Sequence, residues 1–167
     1  MSDLIVYFSR SGNNYVNGSI VNLPTGNTEI IAGFIHELTG AELFKLEPVK
    51  KYSADYTECT NEAKRELNSG ARPEVVSYPE KIDADTIYLG YPNWWGTMPM
   101  CVYTFLERYD FTGKIIKPFC THEGSGLGRS EREIQRVCPG AKVERGLAIH
   151  GADASKSRNL VENWLKR

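Results

Sequence analysis

Three stretches of this sequence carry residue types that could hold a ligand. The first reads Ser9-Arg10-Ser11-Gly12-Asn13-Asn14 and resumes as Thr25-Gly26-Asn27-Thr28. Its hydroxyls and amides donate hydrogen bonds, its glycines let backbone come close, and it opens onto a run with helical period. A helix N-terminus adds free N–H groups and partial positive charge. Together these features suit an anion such as phosphate, although a plain polar loop ending in a Thr or Asn cap has the same composition. The second stretch, Tyr91-Pro92-Asn93-Trp94-Trp95-Gly96-Thr97, sets two adjacent indoles in a loop. Exposed indoles leave apolar area wet unless they meet something flat; alternatively, one of them packs on the sheet edge. The third, Thr121-His122-Glu123-Gly124-Ser125-Gly126-Leu127-Gly128, is dense in glycine. Its backbone N–H groups can bond the polar edge of a ring, or it is a flexible turn.

Other chemistries lack their residues. There is no G-x-x-x-x-G-K-[ST], which a P-loop NTPase needs. Gly124, Gly126 and Gly128 do not form G-x-G-x-x-G. Ser9 follows the first strand where a metal-dependent phosphoryl receiver would carry acidic residues. Cys59, Cys101, Cys120 and Cys138 form no CxxC pair and fit apolar patterns, as reduced core thiols do. His36, His122 and His150 are scattered, with no zinc-site spacing. No residue is an obligatory catalytic acid or base; His122 and Glu123 read as solvent-facing loop residues.

The elements that must position these loops alternate. Leu4–Phe8 is an unbroken apolar run, as in strands buried on both faces. A loop is expected from Ser9 to about Asn27. Ile30, Ile31, Phe34, Ile35 and Leu38 then recur with helical period, and Gly40 closes that helix. Strands are expected at Ala41–Leu46, Thr86–Gly90, Lys114–Cys120 and Lys142–Ile149. Helices are expected over Ser53–Asn68, after Pro99, from a Ser130/Glu133 capping box, and from Asp153 with Leu160, Val161, Trp164 and Leu165 on one face. Strand–helix alternation implies a parallel sheet with helices on both faces and right-handed crossovers. Ligands of such sheets bind at the carboxyl ends of the strands, where all three stretches fall.

The 167 residues suit a single domain, 1–167, with 41% hydrophobic and 25% charged residues. A net charge of −1 points to neither nucleic acid nor an anionic membrane as partner. Leu4–Phe8 is too short for a membrane span or a leader, so a cytoplasmic protein is expected, as a monomer or weak dimer. One loop suits a phosphate, one a flat ring and one a polar ring edge; FMN has all three parts.

On Tyr7–Asn13 (YFSRSGN), Gly90–Thr97 (GYPNWWGT) and Gly124–Gly128 (GSGLG), the sequence resembles the flavodoxin family over nearly its whole length. That resemblance implies a flavodoxin-like three-layer α/β sandwich with a five-stranded parallel sheet of order 2-1-3-4-5. It implies Ser9, Ser11, Asn27 and Thr28 at the FMN phosphate, with Gly12, Asn14, Thr25 and Gly26 in the same turn. It places Pro92, Asn93, Trp94, Trp95 and Gly96 beside the isoalloxazine, and Glu123, Gly124, Ser125 and Gly126 at its polar edge. The implied function is electron transfer through non-covalent FMN, to redox partner proteins or a small-molecule acceptor. An FMN-dependent NAD(P)H:quinone-type reductase and a non-redox binding module are the alternatives. The sequence departs from the family pattern in two ways. The phosphate motif appears twice, split by Asn14–Pro24, and the chain is nearly neutral where electron-carrier flavodoxins are acidic.

Overall fold

The structure, a computed structural model, describes residues 3–167. In chain order its elements are β1 (Asp3–Tyr7), β2 (Gly12–Val16), β3 (Ser19–Leu23), α1 (Asn27–Thr39), β4 (Glu42–Lys45), α2 (Tyr56–Ser69), β5 (Thr86–Pro92), α3 (Met100–Arg108), β6 (Ile115–His122), α4 (Ser130–Val137), β7 (Lys142–Val143), β8 (Leu147–His150), a 3-10 turn at Gly151–Lys156 and α5 (Arg158–Leu165). The main sheet runs β4-β1-β5-β6-β7, with β8 also on β6, and every pairing in it is parallel.

The sheet is covered on both faces, which is why its central strands read as continuous apolar runs. On one face Ile31 and Ile35 of α1 and Val161 and Trp164 of α5 pack with Ile5, Phe119 and Ile149. On the other, Val102, Phe105 and Leu106 of α3 and Ile134 of α4 pack with Val6, Leu89 and Ile116. Trp164 meets Tyr88 and Phe119 edge-on, and its indole N–H donates to the Arg145 carbonyl at 3.2 Å. All four cysteines are free and buried. Burial pushes the Cys59 and Cys138 thiols up to about 11, and those of Cys101 and Cys120 higher still. Among the described residues, no helix is long and apolar enough to cross a membrane.

Several expectations need correction. The main sheet has six strands, not five in a simple 2-1-3-4-5 order, because the expected strand Lys142–Ile149 is broken into β7 and β8. The register slips from Ile116↔Val143 to Phe119↔Leu147, so residues 144–146 face only residues 117–118. Pro118 explains the bulge. Ile116, two residues earlier and on the same edge, accepts from Glu144 N–H; Pro118 has no N–H to continue that ladder. The Gly146 N–H turns instead to Glu131 Oε2, at 2.6 Å.

The expected loop from Ser9 to Asn27 contains an antiparallel hairpin, β2–β3, that pairs with no strand of the main sheet. Its turn is Asn17-Gly18, both at positive φ (52° and 85°), the geometry that Asn-Gly hairpin turns require. Ser130 and Asp153 do not cap helices as expected. The Ser130 hydroxyl donates to the Leu127 carbonyl and accepts from Tyr91 OH, and Asp153 lies inside the 3-10 turn before α5.

Candidate functional site

At the carboxyl end of the sheet a cavity of about 290 Å³ opens among β5, β6, the N-terminus of α1 and the hairpin. The end beside α1 is built from two pieces of chain distant in sequence. Gly26 sits so close to Ser9 and Arg10 that a Cβ there would lie 2.5 Å from the Arg10 carbonyl oxygen and collide with Ser9 Oγ. Ser9 Oγ in turn accepts from Glu29 N–H at 3.1 Å, and the Gly26 carbonyl accepts from Ile30 N–H. So the chain leaves at Arg10, makes the hairpin, and returns at Thr25 beside its point of departure. Thr28 is held by a 2.7 Å bond between its hydroxyl and that of Thr121. Asn27 and Thr28 line the cavity at the first turn of α1, where backbone N–H groups have no intrahelical acceptor.

The rest of the cavity lies between the loops after β5 and β6. Asn93 ties these loops together. Its backbone N–H donates to the Thr121 carbonyl, its side-chain amide donates to the Gly126 carbonyl, and its side-chain oxygen accepts from Gly96 N–H. Gly96 lies at φ +87°, and its carbonyl accepts from Arg129 N–H at 2.8 Å. The two tryptophans diverge. Trp94 turns inward, edge-on to Phe8 at 5.2 Å and Tyr52 at 5.0 Å. Trp95 stays 47% exposed. It reaches toward α2, donating to the Thr60 carbonyl, with Lys64 Nζ 4.6 Å from its ring centroid. A second cleft of about 260 Å³ runs on from the first, between this loop and Cys59 and Ala63 of α2.

The hairpin roofs the cavity. Tyr15 stacks on Tyr56 with ring centroids 6.0 Å apart, and both line the cavity. The Asn17 N–H at the hairpin tip donates to Glu123 Oε1 at 2.9 Å. At the base Arg10 donates to the carbonyls of Asn13, Ser53 and Ala54, and the Asn14 side chain donates back to the Arg10 carbonyl. Burial, then the neighbouring His150, holds His122 below its ordinary value. Its ring is therefore neutral at pH 7, and Nδ1 accepts from Gly124 N–H.

Of the residues expected at the site, Asn14, Asn27, Thr28, Pro92, Asn93, Trp94, Trp95, Gly96, Glu123 and Ser125 line the cavity. Ser9 and Gly26 stand behind the lining as its support, with Thr25 alongside. Ser11 and Gly12 lie at the root of the hairpin, and Gly124 and Gly126 shape the turn after β6 without lining the cavity. Glu123 is engaged at the hairpin tip rather than left free at a ring edge. Arg10, Thr121 and His122, within the expected stretches but not singled out as binding residues, also line the cavity, as do Tyr15, Tyr56 and Gly151, which were not expected there. The Asn17-Gly18 dipeptide was the one signal that could have brought Tyr15 over the site.

A model of the flavodoxin family matches residues 3–167. No curated protein matches the chain. A crystal structure from Bacteroides uniformis, described as a flavoprotein, is similar at 30% identity and a TM-score of 0.78, covering 99% of this chain and 98% of that one. One from Bacteroides eggerthii, described likewise, is 25% identical with a TM-score of 0.78, covering 99% and 96%. A flavoprotein from Lactobacillus acidophilus in complex with FMN shares the fold at 19% identity and a TM-score of 0.64, covering 93% and 97%.

Proposed function

The chain belongs to the flavodoxin family, and from that premise we propose that it holds FMN non-covalently in the cavity at the carboxyl end of its sheet and serves as a redox protein. Flavodoxins are themselves a standard instance of ligand binding at that edge. The observation that carries the reading is the rejoined cradle: Ser9 and Arg10 closed against Gly26 at the first turn of α1, beside a cleft walled by Trp94 and Trp95. When bound, the flavin supplies one- and two-electron chemistry, and the protein supplies binding, orientation and access.

The residues have separable parts in this reading. The Asn27 and Thr28 N–H groups hold the phosphate, with the positive end of α1 behind them and the Ser9 hydroxyl bracing that turn through Glu29 N–H. Asn93 fixes the spacing of the two ring-holding loops through its three hydrogen bonds. Trp95, tethered by its indole N–H to the Thr60 carbonyl but still 47% exposed, is the indole placed to cover the ring, since Trp94 is committed to Phe8 and Tyr52. Neutral His122 brings no charge of its own to the cavity at pH 7.

Competitive titration by flavin fluorescence tests the phosphate end. Charge-assisted hydrogen bonds are worth about 1.5–3 kcal/mol each. Riboflavin, which lacks the phosphate, is expected to bind at least roughly tenfold more weakly per bond lost. Equal affinities for riboflavin and FMN would remove the phosphate from the site. The ring end is tested by Trp95→Ala. Aromatic stacking on a base is worth about 1–3 kcal/mol, so FMN affinity should fall roughly tenfold to a hundredfold and the quenched flavin emission should partly recover. Unchanged affinity and emission would take Trp95 off the ring.

Either a carrier between proteins or a small FMN-dependent reductase fits this site. The roof made by the hairpin favours the second, because it narrows what can reach the ring.

A further inference from the structure

The hairpin is an insertion within the cradle. Gly12 pairs with Leu23, so the two strands leave and re-enter the chain side by side. Gly26 already touches Ser9 and Arg10. The cradle is therefore closed by residues outside the hairpin, and Ser9-Arg10 followed by Thr25-Gly26-Asn27-Thr28 would be continuous without residues 11–24.

The hairpin also adds almost nothing to the core. It pairs with no main-sheet strand. Tyr15 is 41% exposed and Ile20 53%, and an isolated two-stranded ribbon is marginally stable in water. Beyond the bonds between Arg10, Asn13 and Asn14 at its root, its position rests on two latches at opposite sides of the cavity mouth. One is the Tyr15–Tyr56 stack on α2; the other is the Asn17 N–H bond to Glu123 in the loop after β6. An arm that spends its contacts on the rims of a cavity controls what enters it. The net charge of −1 adds little long-range steering for a charged protein partner.

We propose that the β2–β3 hairpin is a lid inserted into a complete phosphate cradle, and that it restricts electron exchange at this site to small-molecule acceptors by keeping protein partners off the ring. The proposal rests on the FMN reading above. Glu123 and Tyr15 are then positioning residues, acting through the hairpin.

The test compares the full-length protein with a variant in which residues 11–24 are excised and Arg10 is joined to Thr25, both loaded with FMN. FMN affinity and release are followed by flavin fluorescence. The chemically reduced proteins are then mixed with ferricytochrome c or with ferricyanide. Each two-electron-reduced flavin reduces two ferric haems or two ferricyanide ions, and releases two protons to solvent from its neutral form or one from its anionic form. The excised variant is expected to keep its FMN and to release it at least about tenfold faster, as loss of a lid predicts. The ratio of its cytochrome c rate to its ferricyanide rate should rise at least tenfold over that of the full chain, again as removal of a gate predicts. A double variant, Tyr15→Ala with Glu123→Ala, frees both latches without shortening the chain. It should move release and the rate ratio in the same direction, and it decides the matter if the excised chain does not fold. Unchanged ratios in yellow, FMN-loaded variants overturn the lid. A folded excised variant that no longer binds FMN also overturns it, by making the hairpin part of the cradle. A full-length protein that takes up no FMN overturns the flavin reading itself and the lid with it.

Discussion

Gly26→Ala is expected to abolish useful FMN binding, raising the dissociation constant at least about a hundredfold, a loss of roughly 2.7 kcal/mol. The added methyl would lie 2.5 Å from the Arg10 carbonyl oxygen and 2.8 Å from its carbonyl carbon. These are backbone atoms, so relief requires the Ser9–Arg10 segment to move off the helix. That movement breaks the bond from Glu29 N–H to Ser9 Oγ and opens the cradle. Overpacking of this kind also costs about 1–3 kcal/mol of folding stability, so thermal unfolding of the apoprotein should be measured beside the fluorescence titration. Gly33→Ala is the control on the same helix. Its Cβ would meet nothing within 4 Å, and Ala is better than Gly in a helix interior by about 1 kcal/mol. That variant should bind FMN normally and melt no lower than wild type. If Gly26→Ala binds within threefold of wild type, the two halves of the phosphate motif do not form one site.

The largest stability effect is expected from Trp164→Ala. Trp164 is 2% exposed, lies against Tyr88 and Phe119, and holds the Arg145 carbonyl through its indole N–H. Truncating a buried Trp costs about 3–5 kcal/mol through lost transfer energy and the cavity left behind. At this chain length each kcal/mol lowers Tm by roughly 2–4 °C, so a fall on the order of 10 °C is expected by calorimetry. Trp164→Phe keeps most of the area and loses the hydrogen bond, so about 1 kcal/mol should separate it from wild type. No atom of Trp164 lines the cavity, so FMN affinity of the folded fraction should not change. A Tm within about 3 °C of wild type for Trp164→Ala would mean that α5 is not a structural member of the core.

The parallel core was legible because burial on both faces leaves one kind of residue in place: Ile5-Val6-Tyr7 and Ile87-Tyr88-Leu89 admit no polar alternation. The three loops at the carboxyl end of the sheet were legible for the opposite reason, since exposed Trp95 and the glycines after β6 have no role in a core, although Trp94 beside them packs inward on Phe8 and Tyr52. The hairpin was not. Asn13, Asn14 and Asn22 bring amides rather than apolar alternation to its strands, because it has little core to face. Asn17-Gly18 was its only local mark. The latch between Asn17 and Glu123 joins residues 106 apart in sequence, a distance no local pattern spans. Ser130 misled for a related reason: in sequence it reads as a helix cap, but in the fold the buried Tyr91 hydroxyl needs an acceptor and takes it. Pro118 was visible in the sequence. Its effect on the outer strand became apparent only once β7 and β8 were known to lie on that edge of β6.

The four buried cysteines give the molecule a chemically silent thiol background. With every thiol raised well above neutral pH by burial, almost no thiolate is present to react with alkylating reagents or peroxide. Ser19, on the outer strand of the hairpin, is exposed. A cysteine introduced there would be the one readily labelled position, so a maleimide dye would attach to the arm alone, and its distance-dependent quenching by the flavin would report directly how long the arm stays down.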